Sequence, residues 1–198
     1  SIGYLVNTPL LKWVSTEGRV FILNFDTGRY SVIDGKKAEK WVSVHGPSDT
    51  ILNLSPTHNF LHSCLKIFLP LWLRCLGVRF YVGFQLKRKG FSYVFSKLKL
   101  LRKICYFQSS YEDIVKKFLF IDGLFFFSDN EKDCLVRALS LFYLLVESDI
   151  SSELKIAIRP HPFQAHAWVT VNGDVCTEGR ERIAGWTVIS DVIFKSSK

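Results

Sequence analysis

The sequence predicts an α+β chain in two parts, a small three-stranded sheet with a helix and then a larger region of helices and strands. Three observations predict it. Short runs of β character at residues 10–14, 19–25 and 29–33 are separated by Thr16-Glu17-Gly18 and Asp26-Thr27-Gly28, the pattern of a strand meander. Residues 134–146, CLVRALSLFYLLV, are apolar almost all round, as expected of a central helix packed on several sides. The stretch 164–178 holds Asn172-Gly173 between apolar runs, a strong signal for a β-hairpin. With 198 residues, 48% of them hydrophobic and 15% aromatic, the chain can build one good core or a small domain joined to a larger one.

Taken in order, Asp34 can cap a helix carrying Ala38, Trp41 and Val42 on one side, and Gly46-Pro47 ends it. The polar, turn-rich stretch 48–58 is the expected boundary, dividing the chain into 1–58 and 59–198. Residues 60–105 read as helical and basic, with breaks at Gly77, Gly83 and Gly90. Cys64 and Cys75 lie about three helical turns apart, on one face, and read as core packing. Ser128 with Glu131 has capping-box spacing, and Asn130 with Asp133 is the competing start. Either choice puts Cys134 in the first turns of the central helix. A strand at 154–158, a loop with Pro160 and Pro162, and the hairpin follow.

The net charge of +8 is concentrated: no acidic residue lies between Asp49 and Glu112, while a series of basic ones runs from Lys66 to Lys103. Such a block suits an acidic partner such as nucleic acid, an anionic membrane or an acidic peptide. Residues 60–84 are apolar but interrupted by Lys66, Pro70, Arg74 and Arg79, which suits a buried or surface-docking helix better than a membrane span. The five cysteines form no CxxC pair, so neither a disulfide framework nor a zinc ribbon is indicated. No secretory pattern opens the chain, and a reducing cytoplasm is the expected location. No P-loop or dinucleotide-binding glycine motif is present, and the sequence calls for no cofactor or metal.

A cysteine at a helix start is where a thiolate is favoured, because the helix dipole and its unpaired N–H groups attract negative charge. A thiolate nucleophile needs an imidazole to exchange protons, and that imidazole needs a third group to fix its tautomer. Cys134, His166 and an acid on the next strand would supply these in the order Cys, His, acid. The acid depends on the hairpin register. A two-residue loop pairs Val171 with Asp174 and sends Glu178 to the face away from His166, whereas a three-residue loop brings Glu178 onto its face. Asp174 sits by the turn, too far along the strand under either register. Glu178 is therefore the expected acid. Taken singly, Cys134 would be a buried packing residue and His166 a hydrogen-bonded core histidine; their combination carries the expectation.

DCLVRALSLFYLL followed by IAIRPHPFQAHAWVTVNG resembles the leader peptidases of lasso-peptide biosynthesis, the B proteins, whose fold is transglutaminase-like and papain-related. The opening FILNFDTGRYSVID resembles the winged-helix-like recognition element that some members carry fused at the N-terminus. The resemblance implies that Cys134 is the nucleophile of a cysteine peptidase and His166 its base. The third position, usually Asp twelve residues after the histidine, falls on Glu178; the extra methylene shifts the carboxylate by roughly an ångström. It further implies cleavage of a ribosomally made precursor peptide ahead of macrocyclisation by an asparagine-synthetase-like cyclase. The leader would add a strand to the exposed sheet edge, with Tyr30 and Val32 as its pocket residues.

The competing reading is a non-catalytic winged-helix-like module that binds nucleic acid or peptide, followed by a degenerate transglutaminase-like domain. The basic block lacks a recognition helix, and its lysines alternate with Phe91, Tyr93 and Phe95, which a core would also use. The expected partners are accordingly the precursor and the cyclase, with peripheral membrane contact open to the basic block and nucleic acid not expected.

Overall fold

The computed structural model describes residues 11–25, 27, 29–45, 51–54, 70–99, 109–126, 133–177 and 183–196. Its first sheet is the expected meander: β1 (Leu11–Thr16), β2 (Arg19–Asn24) and β3 (Arg29–Asp34), all antiparallel, in the order β1-β2-β3. The β1–β2 turn places Glu17 and Gly18 at φ 54° and 72°, the left-handed pair that a two-residue hairpin requires. Helix α1 (Gly35–His45) follows at once and packs Ala38 against Trp13, Val20 and Ile22.

Side chains alternate across β2. Val20 and Ile22 face α1, while Phe21, Leu23 and Phe25 enter the main core. The register pairs Phe21 with Val32 and Leu23 with Tyr30, so Tyr30 and Val32 share the face that looks toward the rest of the molecule.

The segment read as a linker contains a strand, β4 (Ile51–Leu54), which pairs in parallel with β8 of the second sheet. That sheet therefore begins before residue 58. Helix α2 (Leu71–Lys99) runs unbroken through Gly77 and Gly83 and kinks only at Gly90, at φ 77° and ψ 179°. Cys75 is buried as expected, while Cys64 and Cys105 lie outside the described residues. Helix α3 (Tyr111–Phe125), not expected from the sequence, is capped by the Ser110 hydroxyl, which accepts from the Asp113 N–H. Among the described residues no helix is long and apolar enough to cross a membrane.

Helix α4 (Cys134–Glu147) is the apolar helix that the sequence predicts, and ten of its residues from Ala138 onward are buried. It lies between α2 and the sheet of β4, β8, β5 (Ser152–Arg159), β6 (Gln164–Val171) and β7 (Asp174–Val175), in the order β4-β8-β5-β6-β7. Strand β8 (Thr187–Phe194), also unexpected, occupies an interior position between β4 and β5. Its one interior charge, Asp191, accepts a 2.7 Å hydrogen bond from Lys155 on β5.

One continuous core joins the two parts. Phe21 and Leu23 of β2, with Phe25 just after it, belong to the same buried cluster as Phe91, Phe95, Leu141 and Phe142. Phe25 meets Phe91 edge-on at 4.7 Å between centroids, and the Ser92 hydroxyl donates to the Phe25 carbonyl. Phe142, fully buried at the middle of α4, is the test residue: Phe142→Ala should lower unfolding free energy by about 3–5 kcal/mol. A urea titration checks this, and a loss below about 1 kcal/mol would mean that α4 is not the central packing element.

Candidate active site

Cys134 is the first residue of α4, with Asp133 at the N-cap. Asp133 makes no side-chain cap bond; its carboxylate lies 3.8 Å from Arg79 Nη2 instead. Ser128, Asn130 and Glu131, the alternative capping residues, lie outside the described residues. The half-buried Cys134 Sγ lies 3.9 Å from the Ala165 carbonyl oxygen of β6. The next residue along β6 is His166, opposite Ala157 of β5. The start of α4 thus meets the β6 backbone one residue before His166, whose side chain shares a strand face with Trp168, while Ala165 and Ala167 face the core. The His166 ring lies 5.1 Å from Trp186 and 5.9 Å from Trp168, centroid to centroid. Arg159 covers Trp186 at 4.8 Å and donates a 3.1 Å hydrogen bond to the Ala184 carbonyl.

The hairpin corrects one expectation. Its loop has two residues, not three: Val171 pairs with Asp174, and Asn172 and Gly173 sit at φ 53° and 83°. Both central residues need positive φ in this tight turn, which Asn-Gly supplies at least cost. Register selection of Glu178 through a three-residue loop therefore fails. The β6–β7 ladder also ends at Val175, and the chain bends at Cys176 and Thr177, so strand alternation does not reach residue 178. Glu178 itself lies outside the described residues. Asp174 is exposed at the turn, paired with Val171 and five residues along β6 from His166.

The start of α4 is held by charge. Asp122 of α3, 2% exposed, accepts 2.7 Å from Arg79 Nε of α2 and 2.6 Å from Arg137 Nε of α4. Arg79 also lies beneath the Phe126 ring at 4.6 Å. The same pattern recurs at the other end of α4, where Arg74 donates to Glu147 at 2.6 Å, both buried. Arg74 and Arg79 are thus internal, and the basic block is not a single solvated face. Sequence reading missed Asp122, Arg137 and Trp186. A charge inside an apolar run was the available signal, because a buried arginine requires an acid from elsewhere in the fold.

Tyr30 lies beside this site. Its ring meets Phe163 edge-on at 5.8 Å, and Phe21 stacks on the same Phe163 at 6.0 Å. Burial raises the Tyr30 hydroxyl pKa well above its usual value, and the nearby Cys134 adds to the shift, so the phenol stays neutral. Val32, 46% exposed, lies two residues further along β3 at the rim of a groove of about 790 Å3. That groove runs between β3 and α1 and is lined by Lys36, Lys37, Lys40, Trp41 and Val44.

Residues 78–191 match the Transglutaminase-like superfamily. The chain belongs to that superfamily. The matched span runs from α2 into β8 and contains Cys134, His166 and the charge bridge. The chain is also similar to the Microcin J25-processing protein McjB of Escherichia coli, at 25% identity over 114 residues, 57% of this chain and 54% of that protein. It thus spans about half the length of that relative. No solved structure matches.

Two outcomes follow from the transglutaminase-like core. Asp122→Ala strands two arginines, one of them buried, and should cost about 3–5 kcal/mol of stability in a denaturant titration; a cost below 1 kcal/mol would show that the bridge does not hold the three helices. Burial raises the Cys75 and Cys176 thiols to about 11. The thiolate fraction of the half-buried Cys176 at pH 8 is then about one in a thousand, and its peptide-mapped alkylation by iodoacetamide should rise about tenfold per pH unit toward that value, while the fully buried Cys75 stays unlabelled in the folded protein. A plateau near pH 9 would contradict the burial.

Proposed function

We propose that this protein is a cysteine peptidase that removes the leader from a ribosomally made lasso-peptide precursor. The observation that carries this reading is the seating of Cys134 Sγ, at the first residue of α4, 3.9 Å from the carbonyl that precedes His166. Similarity to a microcin-processing protein supports it.

In this reading the Cys134 thiolate attacks the carbonyl carbon of the scissile peptide bond. The resulting oxyanion is stabilised by unpaired backbone N–H groups at the start of α4, which are fixed before substrate arrives. The His166 imidazolium gives its proton to the leaving amine, freeing the core peptide. Water, deprotonated by His166, then attacks the thioester and releases the leader as a carboxylate. No metal or cofactor takes part. Trp168 and Trp186 restrict the imidazole ring, and Glu178 is the acid proposed to fix its tautomer, on its position relative to the family pattern.

The leader is proposed to add a strand to β3, one of the two edge strands of the small sheet and the one beside the groove rimmed by Val32. Lys36, Lys37 and Lys40 make that groove suited to an acidic segment, and Trp41 and Val44 give it an apolar floor. The core peptide would pass to an asparagine-synthetase-like cyclase, and the location proposed for these steps is the cytoplasm. The test is cleavage of the precursor encoded beside this gene, followed by mass spectrometry. Cys134→Ala and His166→Ala should each lower kcat by at least about 100-fold with the leader affinity unchanged. Cleavage by Cys134→Ala at the wild-type rate would overturn the proposal.

A further inference from the structure

Resting on the peptidase reading, we propose that the N-terminal sheet forms one wall of the peptidase site, with Tyr30 contacting the substrate residue immediately before the scissile bond.

The placement of β3 carries this. Val32 lies at the rim of the α1 groove, and Tyr30, two residues back along β3, lies against the loop that leads into His166. Phe163 is the joint. It stacks on Phe21 and meets Tyr30 edge-on, and two residues later the Ala165 carbonyl contacts Cys134 Sγ. Tyr30, Leu135, Val136 and Ala165 all pack against the same buried cluster, which ties the sheet and the start of α4 to one core. Exposed polar contacts also join the sheet to this loop, since His161 Nε2 lies 3.1 Å from Glu17 and 3.3 Å from Arg19 Nη1. Tyr30 is half-buried rather than sealed within the core.

Polarity follows from chemistry. The scissile carbonyl belongs to the leader's C-terminal residue, so the leader must reach Cys134 with its carboxyl end. A strand on β3 must then run from Asp34 toward Arg29, antiparallel to β3. From Val32 to Tyr30 is about 7 Å at strand rise, so residues docked at the groove and the scissile bond are separated by only a few residues. The recognition sheet on this account positions the bond as well as capturing the leader.

The test uses full-length Cys134→Ala protein and a precursor with p-benzoylphenylalanine at the residue before the scissile bond. After irradiation and tryptic digestion, the adduct should map to the peptide of residues 30–36, and Tyr30→Leu should reduce it. Adducts confined to other peptides would overturn the proposal. In the active protein, Tyr30→Leu should lower kcat at least about tenfold while leader Kd changes less than about threefold. Tyr30→Phe should retain the kcat if the ring alone positions the chain and lose it if the hydroxyl does. An unchanged kcat in Tyr30→Leu, or a loss of leader affinity alone, would also overturn it. Wild-type cleavage that does not need Cys134 would remove the peptidase reading itself, a separate outcome.

Discussion

The bridge from Arg79 through Asp122 to Arg137 is the constraint on which the rest depends. One carboxylate, 2% exposed, joins α2, α3 and the first turns of α4. Removing a buried charge from water costs several kcal/mol per ion, so the arrangement persists only because every member is paired. A hydrophobic contact could hold three helices as firmly, but it would not fix their rotation and register as closely as two directional hydrogen bonds of 2.6 and 2.7 Å. What that precision positions is the end of α4 that carries Cys134. An oxyanion site built from backbone N–H groups loses much of its value with a displacement of about 1 Å. On the proposed peptidase reading, a stiff tether at that end would serve the site as well as general stability.

The second constraint is the shared core. Phe21, Leu23 and Phe25 pack on one side into the helices of the transglutaminase-like region, while the other side of β2 packs on α1. The central strand of the small sheet is therefore buried on both faces, and β3 lies at one edge. This differs from two domains on a flexible tether, in which capture raises local concentration but leaves orientation free. Here orientation is set by packing, and the edge strand that would take the leader leads toward Cys134.

Much of this was legible in the sequence where local rules act. The meander followed from its turns, and α4 from an apolar run too long for a strand. Strand β4 was not legible, because four residues in a polar stretch gain their identity only by pairing with β8. Strand β8 itself carries Asp191, which looks like an interruption until Lys155 is seen opposite. Helix α3 was hidden by Gly123 and by an apolar run whose period is blurred. The basic block was visible as composition, but its division into buried Arg74 and Arg79 and exposed Lys87, Arg88 and Lys89 depends on acids from α3 and α4. The hairpin was placed correctly, yet its loop length was not fixed by Asn-Gly alone, and the register argument for Glu178 failed with it, leaving its place relative to the family pattern.

The central claim is that Cys134 attacks a bond delivered along β3, and an affinity label tests it directly. A synthetic leader whose C-terminal carboxyl is replaced by a chloromethyl ketone should alkylate wild-type protein once, at Cys134, in minutes. Excess unmodified leader should protect the site, and a chloromethyl ketone lacking the leader should react far more slowly. Labelling at Cys75 or Cys176, or equal rates with and without the leader, would contradict the account.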